Sequence, residues 1–237
     1  LYCLPFAGGG SYSYRSFKQH LPDFITMIPI ELPGRGKRVR EPLLTDMEQL
    51  ADDVFCQVRR DGIKQPYAIF GHSMGACLGY LATQRICQAK LPPPSHLLVS
   101  GYQGPPLKRK KLVRYNLPKA EFIAMVKEFE GLPTEVLAHP ELIEFFEPVL
   151  RADFKADDLW IYRPTSPVDV PITVLWGTED KDVNYTKLLA WQQASLQPIV
   201  IKQFKGGHFF IFEQVQHVCR LFSRLQSVGT VNRREIA

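Results

Sequence analysis

Tyr67-Ala68-Ile69-Phe70-Gly71-His72-Ser73-Met74-Gly75-Ala76-Cys77-Leu78-Gly79 is the stretch on which the fold turns. Tyr67–Phe70 is short and wholly apolar, as a buried strand is, and from Met74 to about Gln88 the chain reads as a helix with small residues, Ala76 and Gly79, on its early turns. Between them, Gly71-His72-Ser73-Met74-Gly75 fits G-x-S-x-G. A strand that passes into a helix through this pattern makes a sharp turn, which lifts the serine hydroxyl out above the edge of a sheet. Glycines flank it because the strained turn presses against neighbouring backbone and leaves no room for side chains. The helix N-terminus behind Ser73 adds positive potential where an oxyanion would form.

Working outward, strand-like runs at Leu1–Leu4, Ile25–Ile30 and Leu97–Ser100 alternate with helical spacing over Tyr14–Leu21 and, from Asp46, with Met47, Leu50, Ala51, Val54, Phe55 and Val58 on one helix face. Short apolar strands separated by helices predict the α/β class, with a mostly parallel sheet covered on both faces. The pattern changes after Gly101. Gly104-Pro105-Pro106 breaks the chain, and Ala120–Glu130 and Glu141–Leu150 read as helices with no strand between them. Alternation resumes with a strand at Ile172–Trp176, a helix near Tyr185–Ser195, a strand at Pro198–Phe204 and a final helix around Glu213–Leu225. Residues 1–101 and 161–237 are therefore expected to form one core and residues 102–160 a helical insertion, with Gln226–Ala237 frayed.

Composition narrows the function classes. The 237 residues are 45% hydrophobic and 22% charged, too apolar for a disordered chain and enough for one full core. No apolar run reaches the roughly 18 residues of a membrane span, and no signal peptide is visible; the chain opens at Leu1 inside an apolar segment, so residues ahead of it are expected. With 29 basic and 24 acidic residues the net charge is +5, too mild to imply nucleic-acid binding. Five widely spaced cysteines without a C-x-x-C pair point to free thiols in a reducing cytoplasm, and no Cys/His cluster has metal-ligand spacing.

A nucleophilic serine needs a base, and the base needs an acid to orient it; on this type of fold the chain order is Ser, acid, His, each at a strand's carboxyl end. The loop after Pro198–Phe204 carries Lys205-Gly206-Gly207-His208, which makes His208 the candidate base. His217 falls within a helix, His20 and His96 precede strands, His139 belongs to the insertion, and His72 should point away from Ser73. The loop after Ile172–Trp176 carries Gly177-Thr178-Glu179-Asp180-Lys181-Asp182, with Asp180 the first candidate acid and Asp182 and Glu179 the alternatives. Two backbone donors must hold the oxyanion: Met74, after the nucleophile, and a residue of the loop Leu4-Pro5-Phe6-Ala7-Gly8-Gly9-Gly10, with Ala7 favoured. That loop fits neither the Rossmann nor the Walker phosphate pattern, because Ser13 stands where the former needs glycine and no Gly-Lys-Ser/Thr follows.

With these pieces placed, the sequence resembles the standalone (type II) thioesterases that serve nonribosomal peptide and polyketide synthases. The resemblance spans nearly the whole chain and is carried by Leu4-Pro5-Phe6-Ala7-Gly8-Gly9, Leu32-Pro33-Gly34-Arg35-Gly36-Lys37-Arg38, Gly71-His72-Ser73-Met74-Gly75, Leu150-Arg151-Ala152-Asp153-Phe154 and Gly206-Gly207-His208-Phe209-Phe210. It implies an α/β-hydrolase fold with a helical lid between the family's sixth and seventh strands, a Ser73/Asp180/His208 triad, and an acyl thioester substrate on the phosphopantetheine arm of an acyl or peptidyl carrier protein, with no cofactor of the enzyme's own. Arg38 and Asp153 match recurrent positions and are read as structural. Of the insertion's apolar residues, Phe122, Met125, Phe129, Phe145 and Phe146 are expected to roof an acyl pocket. The basic cluster Lys108–Arg114 is a candidate docking patch for an acidic carrier. The expected protein is a cytoplasmic monomer that touches neither nucleic acid nor membrane. Release of medium fatty acyl chains from a fatty acid synthase, or carrier binding without catalysis, are the competing readings.

Overall fold

The computed structural model describes residues 1–63, 66–107, 113–129 and 139–224. Among them, six strands form one parallel sheet: β1 (Tyr2–Leu4), β2 (Ile28–Pro29), β3 (Ala68–His72), β4 (His96–Ser100), β5 (Ile172–Gly177) and β6 (Val200–Phe204), in the order β2-β1-β3-β4-β5-β6. The chain runs outward from β1 to one edge, returns, and then builds the other side strand by strand. The reversal lies between β1 and β3, where Leu4 is in register with Gly71. In an open α/β sheet the connections leave that point in opposite directions and open a crevice at the strands' carboxyl ends.

Period-two alternation divides the strands between two cores. Leu4, Ile69, Leu97, Val99, Ile172 and Val174 face one side, with α1 (Met47–Arg60) and α2 (Met74–Gln88). Cys3, Phe70, Leu98 and Leu175 face the other, where Phe17, Phe210, Val218 and Phe222 cover them. Asp46 starts α1 by accepting the amides of Glu48 and Gln49 on Oδ1 at 2.9 and 3.0 Å, and Leu50, Ala51, Val54 and Val58 are buried along its inner face.

Several boundaries differ from the sequence expectation. The run Ile25–Ile30 contributes only two strand residues, because Pro29 has no amide for the ladder and sits on an edge strand. Tyr14–Leu21 forms a 3-10 helix, Arg15–His20, anchored on buried Phe17. The last helix begins earlier and is broken at Gln214 into Phe210–Glu213 and Val215–Ser223. His96 opens β4 rather than preceding it.

The segment between β4 and β5 carries α3 (Lys119–Glu128) and α4 (Pro140–Leu159) among its described residues. Phe122, Val126, Leu150 and Phe154 form a small core of their own there. The expectation ended the second helix at Leu150; α4 runs nine residues further. Asp153, Asp157 and Asp158 of α4 have buried side chains paired with arginines from elsewhere in the chain. Residues 108–111 of the basic cluster, Glu130 and residues 225–237 lie outside the described residues.

Candidate active site

Ser73 sits between β3 and α2 with φ 53° and ψ −125°, a conformation that costs an L residue on the order of 1–3 kcal/mol. The fold imposes it from both sides. A Cβ on Gly71 would come 2.0 Å from the Gly75 carbonyl oxygen, and one on Gly75 would come 2.5 Å from that of Leu4. The turn therefore lies flat against β1, and only glycine at both positions lets it close. The Ser73 amide donates to the Ser100 carbonyl at 2.8 Å, tying the turn to β4.

Two loops deliver its partners. The amides of Thr178 and Glu179 donate to the carbonyls of Phe204 and Gly206, each at 2.9 Å, so the loops after β5 and β6 are held to one another by backbone. His208 Nε2 lies 3.1 Å from Ser73 Oγ, and its Nδ1 lies 2.8 Å from Asp180 Oδ2. Asp180 is buried, and its Oδ1 accepts the amides of Asp182 and Val183 at 2.9 and 3.3 Å. Glu179 and Asp182 are exposed. Geometry thus brings Ser73, His208 and Asp180 together. Among the described residues, Asp180, Asp182 and His208 are the one grouping of His, Cys, Asp or Glu close enough to share a metal; there, Asp180 and His208 commit their facing atoms to each other.

His72 has its ring 5.0 Å from that of His208, fully buried, with Nδ1 2.9 Å from Ser100 Oγ and Nε2 unpartnered. Burial, reinforced by the neighbouring imidazole of His208, holds its pKa well below the ordinary histidine value, so it stays neutral beside the base.

Met74 and Ala7 border the same cavity as Ser73. Met74 opens α2, so its N–H has no intrahelical carbonyl, and the Ala7 N–H takes no acceptor among the described residues. The loop bearing Ala7 is braced from behind. Asp153 of α4 accepts the Gly8 amide at 2.8 Å and both terminal nitrogens of Arg35 at 2.6 Å, and Arg35 also donates to the Gly9 carbonyl at 3.0 Å. Burial opposes the Arg35 charge, and Asp153 beside it more than restores it. Sequence reading marked Asp153 but paired it with nothing; Arg38, marked alongside, instead bonds Glu41 and Asp53.

Comparison with known proteins bears on what this constellation is. The thioesterase-domain family profile matches residues 1–225. The chain belongs to the thioesterase family. Gramicidin S biosynthesis protein GrsT of Aneurinibacillus migulanus is 32% identical to it over 224 residues, spanning 93% of this chain and 87% of that protein. The medium-chain S-acyl fatty acid synthase thioesterase of Homo sapiens is 30% identical over 221 residues, spanning 90% and 81%. Among solved structures, the type II thioesterase BorB from the borrelidin biosynthetic cluster superposes with a TM-score of 0.87 at 30% identity, over 94% of this chain and 91% of that one.

In this thioesterase the triad opens into a cavity of about 460 Å³. Of the five insertion residues expected to roof it, Phe129 is among its lining residues, with its ring 5.9 Å from that of His208. The other four are corrected. Phe122 is fully buried under Phe154 and Arg151, and Met125 and Phe146 pack against the same small core. Phe145 is 63% exposed. Val126, Leu150 and Phe154 line the cavity in their place. A signal existed for two of them: Leu150 and Phe154 stand at i, i+4 on one helix, visible once α4 is known to continue past Leu150. Arg114 is not the free surface charge that the docking-patch reading needs, since Asp157 and Asp158 bind it. All five cysteines are free thiols, and no helix among the described residues is long and apolar enough to cross a membrane.

Proposed function

We propose that this chain is a type II thioesterase that hydrolyses acyl thioesters from the phosphopantetheine arm of acyl or peptidyl carrier proteins, clearing stalled or mis-primed groups in nonribosomal peptide or polyketide synthesis. The observation that carries the reading is the Ser73–His208–Asp180 relay, at 3.1 and 2.8 Å, facing a cavity in a chain of the thioesterase family. His208 Nε2 takes the proton of Ser73 as its oxygen bonds to the thioester carbonyl carbon. The carbonyl oxygen, now negative, receives the amides of Met74 and Ala7. Collapse of this intermediate breaks the carbon–sulfur bond, and the thiol leaves with the proton held by His208. A water molecule, deprotonated by the same nitrogen, then attacks the acyl-serine carbon; the bond to Ser73 Oγ breaks, the serine takes that proton back from His208, and the acid is released. Asp180 keeps a proton on Nδ1 of His208, so Nε2 is free to accept, and stabilises the imidazolium.

Apart from the attacking water, these steps draw only on the protein's own side chains and amides, so we assign no resident cofactor; the pantetheine arm arrives with its carrier. We place it in the cytoplasm, with which its free thiols are in keeping, and propose that it works as a monomer. A second reading, release of medium-length chains from a fatty acid synthase, draws on the human relative and on the apolar wall of Val126, Phe129, Leu150 and Phe154.

Mass spectrometry of a panel of acyl-loaded carrier proteins, before and after addition of enzyme, tests both. Broad hydrolysis of short acyl groups is expected, and a sharp maximum at one medium chain length selects the second reading. Ser73→Ala should lower turnover by roughly 10⁴- to 10⁶-fold and abolish the acyl-enzyme. Near-normal hydrolysis by that variant, or failure of a fluorophosphonate to label Ser73 in the parent, would overturn the mechanism.

A further inference from the structure

Arg114 closes the basic cluster in sequence, yet its side chain is turned inward and borders the cavity that Ser73 opens into. It is held on three sides. Nε donates to Asp158 Oδ1 and Nη2 to Asp157 Oδ2, both at 2.7 Å, and Cζ lies 4.8 Å from the centre of the Phe154 ring. The Tyr102 hydroxyl donates to the other oxygen of Asp157 at 2.9 Å, which fixes that carboxylate in turn. A guanidinium has five N–H donors, and these contacts use two. Both hydrogens of Nη1 and one of Nη2 have no acceptor among the described residues, although Arg114 is only 17% exposed.

Val126, Leu150 and Phe154 supply an apolar stretch of the same cavity, whose lining also includes the polar Gln103, Asp182 and Lys187. A plain alkyl chain laid along that stretch would strip water from the remaining guanidinium donors and put nothing in its place, which is costly for a charged group. An acyl chain carrying an oxygen would meet a planar donor already locked in position, with little ordering left to do.

We infer that Arg114 is a specificity residue of the acyl chamber, receiving a hydroxyl, keto or amide oxygen on the acyl group and favouring oxygenated groups over alkyl groups of the same length. The inference rests on the thioesterase reading of the site. It converts a suspected docking charge into a reader of the acyl chain.

The test compares matched pairs on a carrier protein: 3-hydroxybutyryl with butyryl, and 4-oxopentanoyl with pentanoyl. For the parent enzyme, kcat/KM should favour the oxygenated member of at least one pair. Arg114→Met should reduce that ratio by about 10- to 100-fold, the range for a hydrogen bond to a charged group. Arg114→Lys keeps the charge between Asp157 and Asp158 but not the planar fork, so it should fold even if the methionine variant does not and should reduce the ratio less. Equal rates for both members of each pair in the parent, or equal losses on both in the variants, overturn the inference. Calorimetric titration of the Ser73→Ala protein with the same acyl groups on pantetheine separates the two readings. If the parent hydrolyses nothing, the thioesterase reading falls, yet tighter binding of the oxygenated member supports Arg114 and equal binding overturns it.

Discussion

Asp180 divides its two oxygens between two tasks. Oδ2 faces His208 Nδ1, while Oδ1 accepts the amides of Asp182 and Val183 and so shapes the loop that presents it. Asp180→Asn separates them, because an asparagine keeps the Oδ1 acceptor and replaces only the oxygen at the imidazole with an N–H donor. That donor forces the proton of His208 onto Nε2, where it points at Ser73 and cannot accept. Turnover should fall by about 10⁴-fold while the thermal midpoint stays close to the parent's, as checked by steady-state kinetics and calorimetry on one preparation. Glu179→Gln, on the exposed neighbour, should retain parent-like turnover; a comparable loss there would move the acid away from Asp180. Ser73 and His208 were legible because glycine spacing and loop position mark them. Choosing among Glu179, Asp180 and Asp182 was harder, since three carboxylates within four residues differ only in which way the loop turns each one.

At the scale of elements, α4 does more than cover the cavity. Through Asp153 it grips both the loop after β1, which carries Ala7, and Arg35 in the segment after β2. The pair is buried, so removing one partner leaves an uncompensated charge, at a typical cost of 3–5 kcal/mol. Arg35→Met and Asp153→Leu should each lower the unfolding free energy, read from urea titration, by that order, and the double variant should recover a substantial part. Strict additivity of the two losses would show that the pair is not a unit. Asp153→Leu should also slow turnover, because the Gly8 amide loses its acceptor one residue from Ala7. Helix α4 was only half legible. Its first turns carry an apolar pattern, but the charged residues that continue it become interior only through partners more than 40 residues away.

For the whole molecule, stability should depend on pH through imidazoles the fold keeps neutral. Burial holds the pKa of His72 far below the ordinary value and lowers that of His96 to about 4. Both have a folded pKa below the unfolded value near 6.5, so at pH above 6.5 neither state binds the proton and their contribution is complete. As pH falls below 6.5 the unfolded chain takes up protons that the folded chain refuses, and stability declines by up to about 1.4 kcal/mol per pH unit for each group. For His96 the loss levels off near pH 4. Denaturant titrations between pH 4 and 7.5 should show the decline, and His96→Gln should make it shallower; an unchanged slope in that variant would remove His96 from the account.

Sequence alone determined the α/β class, the place of the helical segment between two halves of one core, the serine elbow and the loop that brings His208. Each of these is written in neighbouring residues: apolar runs of strand length, glycines where backbone must approach backbone, a helix beginning just after a serine. Only the tertiary structure decided that Arg35 is the partner of Asp153, that Arg114 faces the cavity, and that Phe129 borders it while Phe122 does not. Those outcomes depend on helices that meet by packing across long stretches of chain. Shifting a helix face by one residue changes which side chain reaches the cavity without changing any local pattern.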